Sequence, residues 1–488
     1  MGFKVDSSFL RYLTMGARGT RQVIAELKGL GFAPVELERY CTTNKIWATK
    51  VKRLRLPDLL CVKTGLKIEV RAKSALTIRM SDAPANPDRV WDAGADDEDV
   101  IAFIACQNGA AGPIAADNAA YFDIGSLRRS AGKSTLGPPK SASEGAERDR
   151  TWPSTVPKRS GTVLSVSRDK LLVQMEAPFR KQSFNVSGRN VYVRVGDKFE
   201  AGMTFLAGAP KRMADLSPHL ARRYDPIKGL QSARPVDRYA AAKALRFRPD
   251  RQKAAKPFLT NAIKSEREPR VALEIAGTAA ALGLVAGEKR IGDFLWSDDA
   301  SDLSMEAILI LTEIGGDFAH KQLASVASDA SFEDDERRQA AVWGLGKAGV
   351  GAYGDLLPYL NDPDENVAFH AIAAFGQDTP RQIIQRLVRA LVKGDPTLAP
   401  AASEALRVIG GRKVLEELVK GIELKGPAFT WGMATLGRLE PTLVRAKLAG
   451  SRLLSQLEPM LLMAHGSNWL TAEDAVVNFA FLLKQDIH

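Results

Sequence analysis

Two carboxylates carry the chemistry that the stretch LRLPDLLCVKTGLKIEVRAKS, residues 54–74, can support: Asp58, behind a proline, and Glu69. Lys63-Thr64-Gly65 reads as a tight turn. The flanking residues Leu59–Lys63 and Leu66–Lys73 then read as the two arms of a hairpin. Side chains alternate along a strand, so Glu69, Arg71 and Lys73 share one face, and a hairpin of this length brings Asp58 close to Glu69. Two carboxylates hold Mg²⁺ (or Mn²⁺) through oxygen while leaving water positions open for a phosphate. The ion activates a water and neutralises charge developing on the phosphate. A neighbouring cation orients that water and holds the scissile group. Arg71 clamps a phosphate well but is too weak an acid to serve as a base, whereas Lys73 stands one pleat further along.

Other candidates are softer. Lys45, Lys50, Lys52, Arg53 and Arg55 form a basic run beside Trp47, suited to phosphate contacts that give affinity without sequence information. A lysine-rich edge strand that resists aggregation has the same composition. Asp96–Asp99 reads as a solvated helix start rather than a second metal site. Gly132-Lys133-Ser134 is not a phosphate loop, because Leu127 occupies the position of its earlier glycine. The histidines are His219, His320, His370, His465 and His488, so none serves a metal site in the front 218 residues. Cys41, Cys61 and Cys106 lack CxxC spacing and read as reduced core thiols of a cytoplasmic protein.

The elements that must position Asp58 and Glu69 form an α/β unit over residues 1–125. A helix runs from Gly16 to Gly31, with Val23, Ile24, Leu27 and Leu30 on one face. Strands are expected at Phe32–Leu37, Ile46–Val51, Leu59–Lys63, Leu66–Lys73, Leu76–Met80 and Val100–Cys106, which makes a mixed sheet with flanking helices.

The order of helix, strand, Pro-Asp, turn and Glu-bearing strand, closed by DVIAFIAC, resembles the PD-(D/E)xK superfamily of restriction-endonuclease-like nucleases. The resemblance covers roughly residues 16–106. It implies a metal-dependent endonuclease with Asp58 and Glu69 as metal ligands and Arg71 or Lys73 in the lysine role. Relatives carry a glutamate early in the first helix. Here that region offers Thr20 and Gln22, while Glu26 sits on the wrong part of the turn.

Residues 126–160, rich in Ser, Gly, Pro and charge, read as a polar linker or extended loop. Short strands over 161–210 imply a small β-barrel or sandwich module, decorated by Arg159, Arg168, Lys170, Arg180, Lys181, Arg189 and Arg194. From 211 to 488 the chain is helical and repetitive. Similar helix endings stop at Gly283, Gly315, Gly349, Gly376, Gly410 and Gly437, at intervals of 32, 34, 27, 34 and 27 residues. DPDENVAFHAIAAFG, 362–376, resembles a HEAT repeat, which implies a solenoid of two-helix units that bury their apolar faces against one another.

The fold expected is therefore multidomain: a restriction-endonuclease-like α/β domain, a small β module and an all-α HEAT-like solenoid. At 488 residues several cores are needed. No apolar run reaches the length of a membrane span, and the first residues lack a secretory signal. Residues 1–150 hold 23 Lys/Arg and 18 Asp/Glu, 151–235 hold 15 and 6, and the rest hold 30 and 33. A basic front half suits a nucleic-acid partner, DNA before RNA. The solenoid offers a surface for a protein partner, and a homodimer is compatible with the sequence. The function expected is Mg²⁺-dependent cleavage of nucleic acid, by analogy in genome defence or repair. The alternative is an inactive nucleic-acid- or protein-binding HEAT scaffold with a vestigial nuclease domain.

Overall fold

The computed structural model describes residues 7–37, 47, 54–109, 112–140, 147–297, 301–329, 331, 336–347, 353–393, 397–422 and 427–465. A sheet-rich N-terminal region is followed by an all-helical one, so the protein is multidomain. The chain divides into two compact units. One holds residues 8–45 and 52–284, and the other holds Trp47 and the chain from Val285 onward. The first helices thus belong with the sheet, where a boundary at 210–211 was expected. The reason lies in their contacts, given below.

The first unit opens with α1 (Ser7–Gly29), which starts nine residues before the Gly16 expected from periodicity. A six-stranded sheet follows, built from β1 (Pro34–Glu36), β2 (Leu59–Cys61), β3 (Lys67–Lys73), β5 (Val100–Gly109), β6 (Gly112–Ala115) and β7 (Ala120–Asp123). β1, β2 and β3 form an antiparallel meander, and β3 pairs parallel with β5. β4 (Arg79–Asp82) leaves this sheet to pair with β9 (Arg148–Thr151), which also pairs with β8 (Thr135–Leu136). The 126–160 stretch is accordingly more structured than its composition implies. It also carries α2 (Ile124–Arg129) at its start, and Trp152 is fully buried.

β10 (Ser154–Thr155), β14 (Asn190–Val191) and β16 (Ala207–Gly208) make one small sheet. β11 (Gly161–Val166), β12 (Lys170–Met175), β13 (Arg180–Asn185) and β15 (Lys198–Phe199) make another. Val163, Leu171, Val173, Met175, Phe199, Leu206 and Ala207 close a shared core, as alternation along short strands demands.

Four helices complete the unit: α3 (Pro226–Gly229), α4 (Pro235–Arg246), α5 (Pro249–Ser265) and α6 (Pro269–Ala281). Each begins on a proline, whose missing N–H falls where a helix has no acceptor to offer. α4 and α6 pack on Val35, Leu37, Leu60 and Val62 of the sheet through Val236, Tyr239, Ala240 and Ile275. Arg248 donates to the Val62 carbonyl (2.9 Å), and Lys67 pairs with Asp237 (3.2 Å). These contacts hold α3–α6 to the sheet.

The second unit contains α7 (Val285–Leu295), α8 (Ser301–Ile314), α9 (Gly316–Ser328), α10 (Glu336–Leu345), α11 (Tyr353–Leu356), α12 (Glu365–Ala374), α13 (Arg381–Lys393), α14 (Leu398–Ile409), α15 (Gly411–Ile422), α16 (Pro427–Leu436), α17 (Pro441–Lys447) and α18 (Arg452–His465). Even-numbered helices contact the next even one, from α8 to α18, and α13, α15 and α17 contact in turn, which is a two-layer arrangement. Glycines at expected helix ends stop α6, α8 and α14 in the left-handed region, at Gly283, Gly315 and Gly410. Gly376 and Gly437 follow α12 and α16, while Gly349 lies outside the described residues. No described helix is long and apolar enough to cross a membrane.

Candidate functional site

β3 has two unlike faces. Ile68 and Val70 face α1, where Val23 and Leu27 cover them together with Leu59, Ala102 and Ile104. The approach is close: a Cβ on Gly19 would stand 2.8 Å from the Ala72 Cβ, so α1 needs glycine there. Lys67, Glu69, Arg71 and Lys73 occupy the other face, as alternation predicts. On one side of this strip α4 and α6 cover Leu60 and Val62. On the other, Trp91, Trp152 and Phe205 cover Ile101, Phe103 and Phe122. The polar strip lies where the two coverings leave the sheet open, and a cleft lined by Arg55, Pro57, Lys67, Glu69, Trp91 and Asp99 opens over it.

The turn expected at Lys63-Thr64-Gly65 is present, with Gly65 at φ +71°, and it sets the register of β2 on β3. Leu59 pairs with Ile68 and Leu60 with Lys67. Continued by one residue, that ladder sets Asp58 across from Glu69. Asp58 is 9% exposed and its Oδ2 accepts from the Val70 N–H at 2.6 Å. Glu69 Oε1 pairs with Arg71 Nη2 at 2.5 Å, both side chains being half-buried. Asp58 thus lies one residue before the paired part of β2 with its carboxylate held by the Val70 backbone, and Glu69 lies on β3 with its carboxylate held by a guanidinium.

Cations and acids are mixed around them, with the cations gathered about Lys73. Lys73 is half-buried, and burial, aided by Arg71, Arg79 and Lys140 against Asp149, pushes its pKa down to about 8. Burial also lowers the Arg55 pKa; Glu69 opposes this and Arg71 adds to it. Of the basic run read from the sequence, Arg55 alone is described, and it reaches the site. Lys45, Lys50, Lys52 and Arg53 lie outside the described residues. Trp47, expected beside phosphate contacts, is instead buried in the second unit, 5.0 Å from the His370 ring and 6.4 Å from that of Trp343.

Arg79 and Lys140 were not legible as site residues. Both sit around the sheet of β4, β8 and β9, where Asp149 receives Lys140 at 2.6 Å and Arg79 at 3.5 Å. Only that long-range pairing brings them to Lys73. Lys67 also escaped notice. Its Nζ meets Asp96 (3.2 Å), Asp99 (3.3 Å) and Asp237 (3.2 Å). Burial works to lower its pKa, but Asp99, Asp237 and Asp96 outweigh burial and raise it.

The acidic patch is not a helix start, although Asp96, Asp97 and Glu98 are solvated as expected. Residues 96–99 form turns, Asp99 is buried, and burial raises its pKa against the pull of Lys67. Gln22 does not join the site either, since its amide donates to the Asp117 carbonyl on the α1 side of the sheet (2.9 Å). Glu26 is there too, accepting from the Ala119 N–H (3.0 Å) and the Tyr121 hydroxyl (2.8 Å).

No cluster of three or more His, Cys, Asp or Glu suited to a metal occurs among the described residues. The donor set at the strip is two carboxylates, the hard oxygen type that Mg²⁺ takes while keeping most of its waters. No family model matches the chain, and no curated protein does. Among solved structures, an engineered protein is similar at 18% identity, over 52% of this chain and 96% of its own, with a TM-score of 0.17 that carries no argument about fold.

Proposed function

We propose that the strip on β3 is the centre of a Mg²⁺- or Mn²⁺-dependent nuclease of the restriction-endonuclease-like kind, acting on DNA before RNA, with the helices as a HEAT-like solenoid. The observation that supports this reading is the β2–β3 register, which carried one residue past Leu59 would set Asp58 across from Glu69, near Arg71 and Lys73. Asp58 and Glu69 would hold the ion. When bound, the ion supplies an activated water and neutralises charge on the phosphate.

The remaining work falls to side chains of this chain. Arg71, always charged, orients Glu69 and presents its fork to a phosphate oxygen. Lys73 exchanges a proton at Nζ near pH 8, so it suits the lysine role that Arg71 cannot fill. Arg55 and Arg79 add phosphate contacts. The outer face of the four-stranded β module extends the binding surface. There Lys198, Thr162, Gln174 and Lys181 align across β15, β11, β12 and β13 without an acid among them.

A second reading is a binding protein that has lost cleavage, and the Glu69–Arg71 ion pair favours it by placing a cation on the carboxylate an ion would need. Plasmid incubated with the full chain and Mg²⁺ or Mn²⁺ decides between the two. Nicking that Asp58→Asn and Glu69→Gln both abolish supports the nuclease. DNA binding without cleavage under either metal leaves the binding protein.

A further inference from the structure

The summed charge of the helical chain conceals how that charge is distributed between layers. α13 carries four Lys/Arg and no acid, α15 three against two glutamates, and α17 two and none. Their even-numbered neighbours differ: α12 has Glu365 alone, α14 has Glu404 and Arg407, and α16 has no charged residue. Of the odd-numbered helices earlier in the same unit, α7 and α9 are balanced and the short α11 holds Asp355 alone. α7 sets Lys289 and Arg290 against Glu288 and Asp293, and α9 sets Lys321 against Asp317. A layer that merely faces water mixes both signs, as α7 and α9 do. The excess is therefore specific to the last three odd helices, which touch in sequence.

Local pairing does not absorb it. The two glutamates of α15 are taken by Arg381 and Lys420, and Arg445 pairs with Glu458. Arg386, Arg389, Arg412, Lys413 and Lys447 are exposed and make no ion pair among the described residues. Arg386 and Arg389 stand one turn apart on α13, whose Ile384, Leu387 and Leu391 are buried on the other side. Arg412 and Lys447 line a groove between α15 and α17. The stripe crosses three helices.

We infer that the α13–α15–α17 layer is a second nucleic-acid contact surface, which takes the phosphodiester backbone on these five cations. Phosphates repeat along a strand and attract cations without regard to sequence, so a stripe of exposed Arg and Lys is the complementary surface. The surface needs neither Asp58 nor Glu69, and no divalent ion. It therefore stands or falls apart from the proposed cleavage centre.

The test uses the full chain in EDTA, with a fluorescein-labelled random-sequence duplex and its single strand, and reads affinity by anisotropy across a salt series. Combined Arg386→Gln, Arg389→Gln and Arg412→Gln should weaken binding at least tenfold at low salt. It should also flatten the slope of log K against log salt by about two to three. Combined Arg386→Lys, Arg389→Lys and Arg412→Lys should keep the wild-type slope, which separates lost charge from lost folding. An unchanged slope and affinity in the glutamine variant, on both probes, overturns the surface and leaves the stripe to solvent or to an acidic protein. Equal loss in the lysine variant overturns it as well. Loss on the duplex alone, or on both probes, supports it and says which form of backbone it takes.

Discussion

The sheet unit and the helical unit manage charge in opposite ways. Around β3, ions are drawn inward and most are matched across long sequence distances: Lys67 to Asp96, Asp99 and Asp237, and Arg150 to Asp82. In α13–α17, the described cations stay at or near the surface and the charge is sorted by layer, with Glu417 the buried acid. Inside a low-dielectric cleft each ion must be matched or its pKa moves, and Lys73 is where the matching is incomplete. On an exposed helix nothing forces matching, so an excess of one sign persists at little cost and remains available to a polyanion. The first arrangement suits chemistry at a fixed point, the second an extended contact.

The largest effect expected from this contrast is on turnover. Asp58→Asn keeps an acceptor for the Val70 N–H but removes the charge, so it should lower plasmid cleavage by at least about a hundredfold while circular dichroism stays unchanged. Glu69→Gln should do the same. Arg386→Gln, on the helices, should leave the cleavage rate at saturating DNA where it was. If all three fall alike, the two regions do not divide the labour.

Next in size are two packing changes. A Cβ on Gly346 would stand 2.1 Å from the Ala374 Cβ, at the point where the chain leaving α10 passes α12. Gly346→Ala should cost about 1–3 kcal/mol by overpacking, read as a lower melting midpoint. In the sheet unit, Glu26→Ala should cost a similar amount, about 1–3 kcal/mol, because the Ala119 N–H and the Tyr121 hydroxyl lose their acceptor. Cleavage per folded molecule should not change. A cleavage loss on the scale of Asp58→Asn would bring Glu26 into the centre after all.

What the sequence made legible follows physical range. Helix ends at Gly283, Gly315 and Gly410 were readable because a left-handed residue favours glycine and the unit repeats, so each copy supports the next. The face shared by Glu69, Arg71 and Lys73 was readable because alternation is local. Arg79 and Lys140 were not readable, because only the pairing of β4 with β9, 66 to 72 residues on, brings them to Lys73. The packing of α4 on the sheet was hidden for the same reason, and so was the burial of Asp99 under Lys67. The stripe on α13–α17 was obscured differently. Its residues are plain in the sequence, but a sum over 236–488 cancels what the layers separate.

The smallest effect is the most specific to the site. In the fold Lys73 gives up its proton near pH 8, against 10.5 for an ordinary lysine, with burial as the main cause. A lowered lysine pKa means the charged form is disfavoured by folding. Below pH 8 both folded and unfolded chains carry the charge, so the fold bears the full penalty. Between pH 8 and 10.5 the unfolded chain binds the proton that the folded one has released, and stability rises with pH. Above that window neither state is charged and the penalty is gone. Lys73→Met should therefore stabilise the protein at pH 7, by about 1–2 kcal/mol once solvent screening of a half-exposed side chain is allowed for. The gain, measured by urea unfolding, should fade as pH approaches 10.5, while cleavage falls at every pH. Arg386→Gln should shift stability by less than about 0.5 kcal/mol and show no such pH window. A stabilised, inactive Lys73→Met would mean that the fold tolerates an unfavourable charge for the sake of the reaction. Stability unchanged across the window would mean that water already reaches Lys73, and that its role is only to meet phosphate, as the helical cations do.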